Sequence, residues 1–241
     1  MLKSIFPAIV LFIFSTGLFS QDIVLEKDVT DQYKEGNGPN MRNFRHFYIG
    51  FGGIIDFDES PGTAINAYRS GQITFGYRYK LKLLSFYALG LDLNFKSDQY
   101  FMEGDDANPY DPNNPLALYT GEKRQTFTDN GIGLEIYQRI NIGKRGNTLG
   151  KYLDAGFRAQ WNVTDVEELV INYNDPTYTG RQRIFNRRLQ YVEDYSYGLS
   201  ARIGFDHFII YGYYRLSDIF KDSFNIPELP RLSVGLQYAF Y

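Results

Sequence analysis

Alternation of apolar and polar residues constrains the fold of this chain more than any other feature. In the last eleven residues, Arg231 to Tyr241, each apolar residue from Leu232 to Phe240 is followed by a polar, small or terminal residue. A period of two is the signature of a β-strand with two different faces. A strand whose outer face meets lipid and whose inner face meets a polar interior has this pattern.

The same alternation recurs along the chain and predicts eight strands. They are Phe44–Phe57, Ile65–Lys80, Leu84–Lys96, Gln125–Asn141, Tyr152–Val163, Leu189–Phe205, Phe208–Leu216 and Arg231–Tyr241. Short turns (81–83, 142–151, 206–207) alternate with longer predicted loops (97–124, 164–188, 217–230). Barrels of the bacterial outer membrane have an even number of strands, short periplasmic turns and long outer loops. We therefore predict an all-β fold, a closed eight-stranded antiparallel up-and-down transmembrane β-barrel with a polar lumen.

The alternative is a soluble eight-stranded barrel, which turns its apolar face inward. In this chain the charged face also carries many of the glycines, for example Gly76, Gly90, Gly133 and Gly156. Small residues suit the crowded interior of a narrow barrel, which side chains just fill. The glycines therefore favour the barrel with its polar face inside.

The N-terminal residues are typical of an export signal. Residues 1–20 contain Lys3, an apolar run from Ile5 to Phe14 and a small-residue end at Ser20. The run is shorter than the roughly 20 residues of a spanning helix, and Pro7 interrupts it. We predict a signal peptide at 1–20, a flexible periplasmic tail at 21–43 and an outer-membrane barrel at 44–241.

Composition excludes several classes of function. The chain has no cysteine, which rules out disulfides, thiol catalysis and a lipidated cysteine. Its net charge is only -3 and no nucleic-acid-binding motif is present, so no nucleic-acid partner is expected. Aromatic residues make up 17% of the chain, and tyrosine suits an interface between lipid and water.

Charged residues on the inner face predict how two strands pair. Arg139 with Asp154, and Glu135 with Arg158, fit one antiparallel register across the turn at 142–151, and that register places Tyr137 opposite Gly156. The predicted lumen charge network comprises Arg78, Asp92, Lys96, Glu135, Arg139, Asp154, Arg158, Arg202, Arg215 and Arg231. We expect it to hold the barrel shut as a polar plug; the alternative is a narrow pore or ion path.

No catalytic, metal or cofactor site is predicted. The only histidines, His46 and His207, fall at the predicted periplasmic end, away from substrates in the outer leaflet. The loop from Gly104 to Asn114 is rich in side-chain oxygens but lacks the calcium-loop spacing. A non-enzymatic protein without a cofactor is therefore expected.

A basic run, Arg181, Arg183, Arg187 and Arg188, falls in the second long loop. Arginine binds phosphate oxygens bidentately, and lipopolysaccharide presents phosphates at the outer leaflet, so these residues are a predicted lipopolysaccharide contact. The alternative is pairing with the acidic loop around Glu103, Asp105 and Asp106.

The aromatic-rich strands, the Ser20–Gln21 junction and the segments Tyr213–Ser217 and Leu232–Phe240 resemble small outer-membrane β-barrels of Bacteroidetes-type bacteria, a superfamily likened to the transmembrane part of OmpA and to PorT. The aromatic end resembles the signal that the barrel-assembly machinery recognises in the C-terminal strand. The resemblance implies the barrel fold and insertion in the outer membrane, and it leaves the function open. We expect a structural or accessory role, with a periplasmic or envelope protein partner bound through the outer loops or the tail. Alternatives are an accessory component of a protein secretion system, a narrow pore and a lipid-modifying enzyme.

Overall fold

The computed structural model describes residues 38–56, 65–102, 122–143, 146–175, 178–224 and 226–241. Its strands are β1 (Asn43–Ile55), β2 (Gly71–Lys82), β3 (Tyr87–Phe101), β4 (Glu122–Ile142), β5 (Lys151–Asp175), β6 (Tyr178–Arg187), β7 (Tyr195–Phe205), β8 (Phe208–Arg215) and β9 (Leu232–Phe240). A short 3₁₀ helix spans Asp222–Phe224. Within these ranges no helix is long and apolar enough to cross a membrane. The predicted signal peptide and most of the predicted tail lie outside the described residues.

Eight strands close into a barrel. Each pairs antiparallel with its neighbours in the order β4-β3-β2-β1-β9-β8-β7-β5, and an additional pairing between β4 and β5 closes the ring. The pairing of β1 with β9 joins the two ends of the barrel sequence. The predicted eight-stranded antiparallel barrel is confirmed, and a ninth strand, β6, pairs with β5 outside the ring.

The strand registers fix the width of the barrel. A path through paired residues starts at Ile54, passes through Ser233, Tyr213, Ser200, Gly156, Tyr137, Gly90 and Lys80, and returns to β1 at Phe44. The return position lies ten residues before the start, which is the shear of the barrel. Eight strands with this stagger tilt by about 40° and enclose a space that side chains fill.

The two faces of the barrel have opposite chemistry. Large apolar side chains point outward and are exposed, for example Phe51 at 57%, Ile136 at 60% and Leu236 at 62%. The buried inward positions are mostly polar or charged and include arginines with no exposed surface. A soluble barrel would reverse this arrangement, whereas lipid requires it. The molecule is therefore a transmembrane barrel with a polar lumen.

Both faces of β8 are apolar or aromatic, so the alternation of its sequence does not by itself show which face is inward. Its inward side chains are Ile209, Tyr211, Tyr213 and Arg215, while Phe208, Ile210 and Tyr214 are exposed on the outside. Tyrosine serves on both faces since its ring can meet lipid or pack against a guanidinium group.

The predicted loop at 164–188 is wrong. β5 continues to Asp175, and β6 returns from Tyr178 to Arg187 as its antiparallel partner. A strand that has left the bilayer meets water on its outer face, so it loses the alternation that lipid imposes and reads as a loop. The pairing from Val166–Arg187 to Asp175–Tyr178 forms what we call the projecting hairpin.

Two other predicted strands begin six residues too early. The sixth predicted strand starts at Leu189, whereas β7 starts at Tyr195, because 189–194 turn inward over the mouth of the barrel. The second starts at Ile65, whereas β2 starts at Gly71 and Ile65 makes only an isolated bridge with Met102. In both segments, apolar residues that cover the mouth extended the alternation of the neighbouring strand in the sequence.

Apolar clusters lie at both ends of the lumen. At the end that carries the longer connections, the mouth cluster comprises Ile54, Ile65, Tyr100, Phe127, Val192, Ile219, Phe220 and Leu229. At the end that carries the short turns, the base cluster comprises Phe44, Leu149, Tyr152, Ile209 and Ala239. The polar side chains of the lumen lie between these two layers.

Candidate functional site in the lumen and on the hairpin

The predicted pairing of β4 with β5 is confirmed residue by residue, with Arg139 opposite Asp154, Glu135 opposite Arg158 and Tyr137 opposite Gly156. The Arg139 guanidinium donates to both Asp154 oxygens at 2.7 and 2.8 Å. The Arg158 guanidinium donates twice to one Glu135 oxygen, at 3.1 and 2.9 Å. All four side chains are at most 2% exposed, so both pairs are desolvated.

Arg202 of β7 joins the pairs into one network. Its guanidinium lies 2.6 Å from Glu135, 3.2 Å from Asp154 and 3.5 Å from Asp92. Asp92 in turn pairs with Arg78 at 2.8 Å. Ion pairs within a low-dielectric interior are held firmly once formed, because removing one partner leaves a buried charge uncompensated. We call Arg78, Asp92, Glu135, Arg139, Asp154, Arg158 and Arg202 the central network.

Tyrosines that the sequence analysis did not assign to the network cover its guanidinium groups. The distances from guanidinium carbon to ring centroid are 3.5 Å for Arg139–Tyr152, 4.2 Å for Arg78–Tyr48, and 4.8 Å for both Arg202–Tyr137 and Arg158–Tyr213. Such contacts strengthen when water is excluded. Each of these tyrosines occupies one of the alternate strand positions that face the lumen, and this pattern in the sequence could have identified them.

The Tyr137 ring also explains why β3 carries a glycine beside it. A Cβ added to Gly90 would lie 2.1 Å from Tyr137 Cζ, so only glycine leaves room for the ring. The Tyr137 hydroxyl then donates to the carbonyl of Tyr79 at 3.1 Å. Packing of an aromatic ring over a glycine on the next strand fixes the register locally.

The remaining predicted lumen residues lie nearer the mouth. Lys96 pairs with Asp98, two positions along the same strand. Arg215 pairs with Glu228 at 2.6 Å and donates to the carbonyl of Leu229 at 3.0 Å, which fastens the β8–β9 connection over the mouth. The prediction for Arg231 is wrong, because it precedes β9, is partly exposed and pairs with Asp218 at the rim.

A second polar layer between the central network and the mouth cluster was missed by the sequence analysis. Gln72 donates to Asp98 at 2.7 Å and accepts from the Tyr211 hydroxyl at 2.8 Å. Gln160 donates to Asn162 at 2.9 Å. Neutral amides carry no charge pattern, so only their inward parity could have revealed them.

The two histidines lie apart. His46 is buried in the lumen opposite Arg78 and stacks on Phe44, with centroids 5.1 Å apart. His207 lies in the short β7–β8 turn and stacks on Tyr241 at 4.2 Å. Across the described ranges no group of three or more histidine, aspartate or glutamate side chains is placed to hold a metal ion.

The basic run lies on β6 and just after it. Arg181, Arg183 and Arg187 are exposed, and Phe185 shares their outward face, whereas Ile184 and Asn186 between them are half-buried. Arg188 follows the strand with a φ of 57°. The ion pair between Arg183 and the described carboxylate of Glu168 is weak, because the two groups are 4.0 Å apart and the arginine is 51% exposed. The acidic loop that was the alternative partner lies outside the described residues.

The inner face of the projecting hairpin is anchored to the barrel. Leu169, Ile171 and Ile184 form a small apolar cluster. At the hairpin base, Glu167 accepts from Gln125 at 2.7 Å and from Asn186 at 3.1 Å. The hairpin therefore has a fixed inner side and an outer side that carries arginine.

No protein-family model and no curated protein sequence matches the chain. Solved structures to which the chain aligns include Ail, the attachment invasion locus protein of Yersinia pestis, at 9% identity, and the same protein in complex with the heparin analogue sucrose octasulfate, at 10% identity. Both alignments cover 81% of this chain and 97% of the other, with a TM-score of 0.35. At this similarity no function transfers, so the functional conclusions rest on the side chains described above.

Proposed function

We propose that the protein is a non-enzymatic barrel of the bacterial outer membrane that acts through its outer surface, as an accessory or scaffold protein, and does not conduct through its lumen. One contrast carries this proposal. The lumen is filled by the buried central network between two apolar clusters, whereas β5 and β6 build an ordered hairpin beyond the barrel. The ordered surface available to a partner is therefore the hairpin outside the bilayer, and not the filled lumen.

The location follows from the two faces. A closed barrel with an apolar outside is stable only in lipid, and bacterial barrels of this type place short turns in the periplasm. The turns at 83–86, 143–150 and 206–207 share one end, so the projecting hairpin faces the cell exterior. The mature protein should fractionate with the outer membrane and shift its gel mobility on heating. Recovery of the processed native protein from the inner membrane or the soluble fraction would contradict this location.

A closed lumen is supported by the central network. An ion path would need Arg202 to release carboxylates that it holds at 2.6 and 3.2 Å with no access to water. Breaking one buried pair costs about 3–5 kcal/mol, which makes spontaneous opening rare. In planar bilayers we expect no single-channel steps from the wild-type protein. Regular steps in its presence, absent with protein-free detergent, would favour the narrow pore instead.

The absence of catalysis is supported by the positions of the histidines. His46 is 3% exposed inside the lumen, and His207 lies at the short-turn end, so neither reaches a substrate in the outer leaflet. A hydrolase or acyltransferase of lipid A would need such a base beside a nucleophile. The lipid A of a deletion strain should therefore have an unchanged mass spectrum.

The arginines of β6 are proposed to contact phosphates of lipopolysaccharide. They face outward above the apolar belt, where Arg187 is opposite Val166, five residues beyond the exposed Trp161. Replacing Arg181, Arg183, Arg187 and Arg188 with glutamine should lower thermal stability in bilayers that contain lipopolysaccharide and leave it unchanged in neutral detergent. The control pair is Arg42 and Arg45, which are exposed at the short-turn end. An equal loss in both media would mean that the β6 arginines pair within the protein.

The protein partner is tested by crosslinking in the native membrane. The hairpin can be shortened by joining Glu168 to Phe185, which are paired in the register, through an Asn-Gly turn. We expect the full-length protein to capture an envelope protein that the shortened variant does not. If both variants crosslink to the same protein, the partner binds another surface. If the full-length protein crosslinks only to lipopolysaccharide, the hairpin has no scaffold role.

A further inference from the structure

The central network has more positive than negative groups. Among the described residues, four arginines (Arg78, Arg139, Arg158, Arg202) face three carboxylates (Asp92, Glu135, Asp154), and all seven are buried. The other lumen carboxylates lie nearer the mouth, where Asp98 pairs with Lys96. The lower lumen therefore has a surplus of positive charge.

The surplus is concentrated around one ring. The guanidinium carbons of Arg202, Arg139 and Arg78 lie 4.8, 5.5 and 5.9 Å from the centroid of Tyr137. Arg139 and Arg202 share Asp154, and Arg78 and Arg202 share Asp92. The three guanidinium groups are thus held close together by carboxylates on either side.

Each of these arginines has at least one donor nitrogen without a hydrogen-bond partner. These nitrogens include Nη1 of Arg78, Nη1 of Arg139 and Nη2 of Arg202, on side chains that are at most 2% exposed. His46, directly opposite Arg78, has neither ring nitrogen in a hydrogen bond. Native interiors leave few buried polar atoms without a partner.

We propose that the lower lumen binds one small inorganic anion of the halide type between Arg78, Arg139 and Arg202, beside His46. An anion supplies both things that the cluster lacks, an acceptor for the free N–H groups and a negative charge. Water supplies an acceptor but leaves the charge surplus, and an uncompensated buried charge is costly. The anion is a structural ligand, enclosed when the barrel closes, and this site is separate from the proposed role of the hairpin.

The first test compares anions during folding. The full-length mature protein is refolded and melted in detergent at constant ionic strength, with chloride replaced stepwise by gluconate, an anion much larger than a halide. The wild-type melting temperature should rise with the logarithm of chloride concentration, because a ligand that binds only the folded state stabilises it by mass action. Equal melting temperatures in both salts would overturn the proposal.

A substitution separates the site from general salt effects. His46→Glu places a carboxylate opposite Arg78, where the anion would lie, and should abolish the chloride dependence. His46→Gln has nearly the same size and no charge, so it should keep that dependence. Chloride dependence that persists in His46→Glu would overturn the assignment to this cluster.

Crystals of the wild-type protein refolded in bromide give a readout that does not depend on the variants. We expect an anomalous peak in the lumen in contact with the guanidinium groups of Arg78, Arg139 and Arg202. Peaks confined to the protein surface would mean an adventitious ion only, and the lumen site would then be dropped.

Discussion

At the scale of single residues, Asp154 is the carboxylate on which two arginines depend. It accepts from Arg139 at 2.7 Å and from Arg202 at 3.2 Å in a site without water access. Asp154→Ala should destabilise the barrel by about 3–5 kcal/mol, since both arginines lose a buried partner. Urea unfolding in lipid vesicles, followed by gel mobility, measures the loss. Glu168→Ala is the control, because its exposed pair with Arg183 should contribute about 0–1 kcal/mol.

Exchanging the charges should recover only part of that loss. With Arg139→Asp and Asp154→Arg combined, the pair across β4 and β5 is restored in reverse. Arg202 then faces a cation at position 154 instead of the carboxylate that it held at 3.2 Å. The double variant should therefore be more stable than Asp154→Arg alone and less stable than wild type. Losses that simply add would show that positions 139 and 154 do not interact.

Gly90 is a second position where one atom matters. Gly90→Ala would place a Cβ 2.1 Å from Tyr137 Cζ, and that ring is held among arginines and has little room to move. Overpacking of this kind costs about 1–3 kcal/mol, and we expect the same unfolding experiment to show it. Gly53→Ala is the matched control, because a Cβ there meets nothing within 4 Å. Equal effects of the two substitutions would mean that the contact with the Tyr137 ring does not set the cost, because the change in backbone entropy from glycine to alanine favours folding at both positions.

At the scale of elements, the sequence predicts strands well where lipid and lumen impose opposite chemistry on the two faces. The β4–β5 register follows from its charges, and β9 follows from its alternation. The projecting hairpin could not be predicted in this way, since outside the bilayer no apolar face is required. The prediction for Arg231 failed for a related reason. Its position alternates in step with the lumen-facing residues of β9, but the strand starts only after it, at Leu232.

The hairpin should therefore be separable from the barrel. Shortening it by an Asn-Gly turn between Glu168 and Phe185 removes the cluster of Leu169, Ile171 and Ile184 but keeps Glu167 and its partners Gln125, Asn186 and Tyr191. Arg202 and the mouth cluster are untouched, so the variant should fold, shift on heating and melt close to wild type. Circular dichroism and the gel shift measure this. Failure to fold would show that the hairpin is part of the barrel's folding core.

At the scale of the whole molecule, the barrel reverses the arrangement of a soluble domain, because its apolar side chains face outward and its polar side chains are buried. Lipid covers the apolar outside, and the interior gains from ion pairs, hydrogen bonds and rings stacked on guanidinium groups. Because the strands close into a ring, their backbone N–H and C=O groups have hydrogen-bond partners on neighbouring strands. The bilayer core requires this, since it offers no water to these groups. The polar lumen and the apolar belt are thus two consequences of one arrangement, and both can be tested by placing a reporter at the boundary of the belt.

Trp161 is that reporter, because it is the only tryptophan in the sequence and is 55% exposed on the outer face of β5. It lies where β5 makes its last pair with β7, next to the polar positions that begin the hairpin. Tryptophan favours the boundary between headgroups and acyl chains. In vesicles, lipids brominated near the headgroup should quench its fluorescence more strongly than lipids brominated near the chain end, and a water-soluble quencher should act only weakly. The shortened-hairpin variant should give the same profile, since its barrel sits at the same depth. Strong quenching from water, with no effect of brominated lipid, would place Trp161 outside the bilayer and contradict the proposed belt.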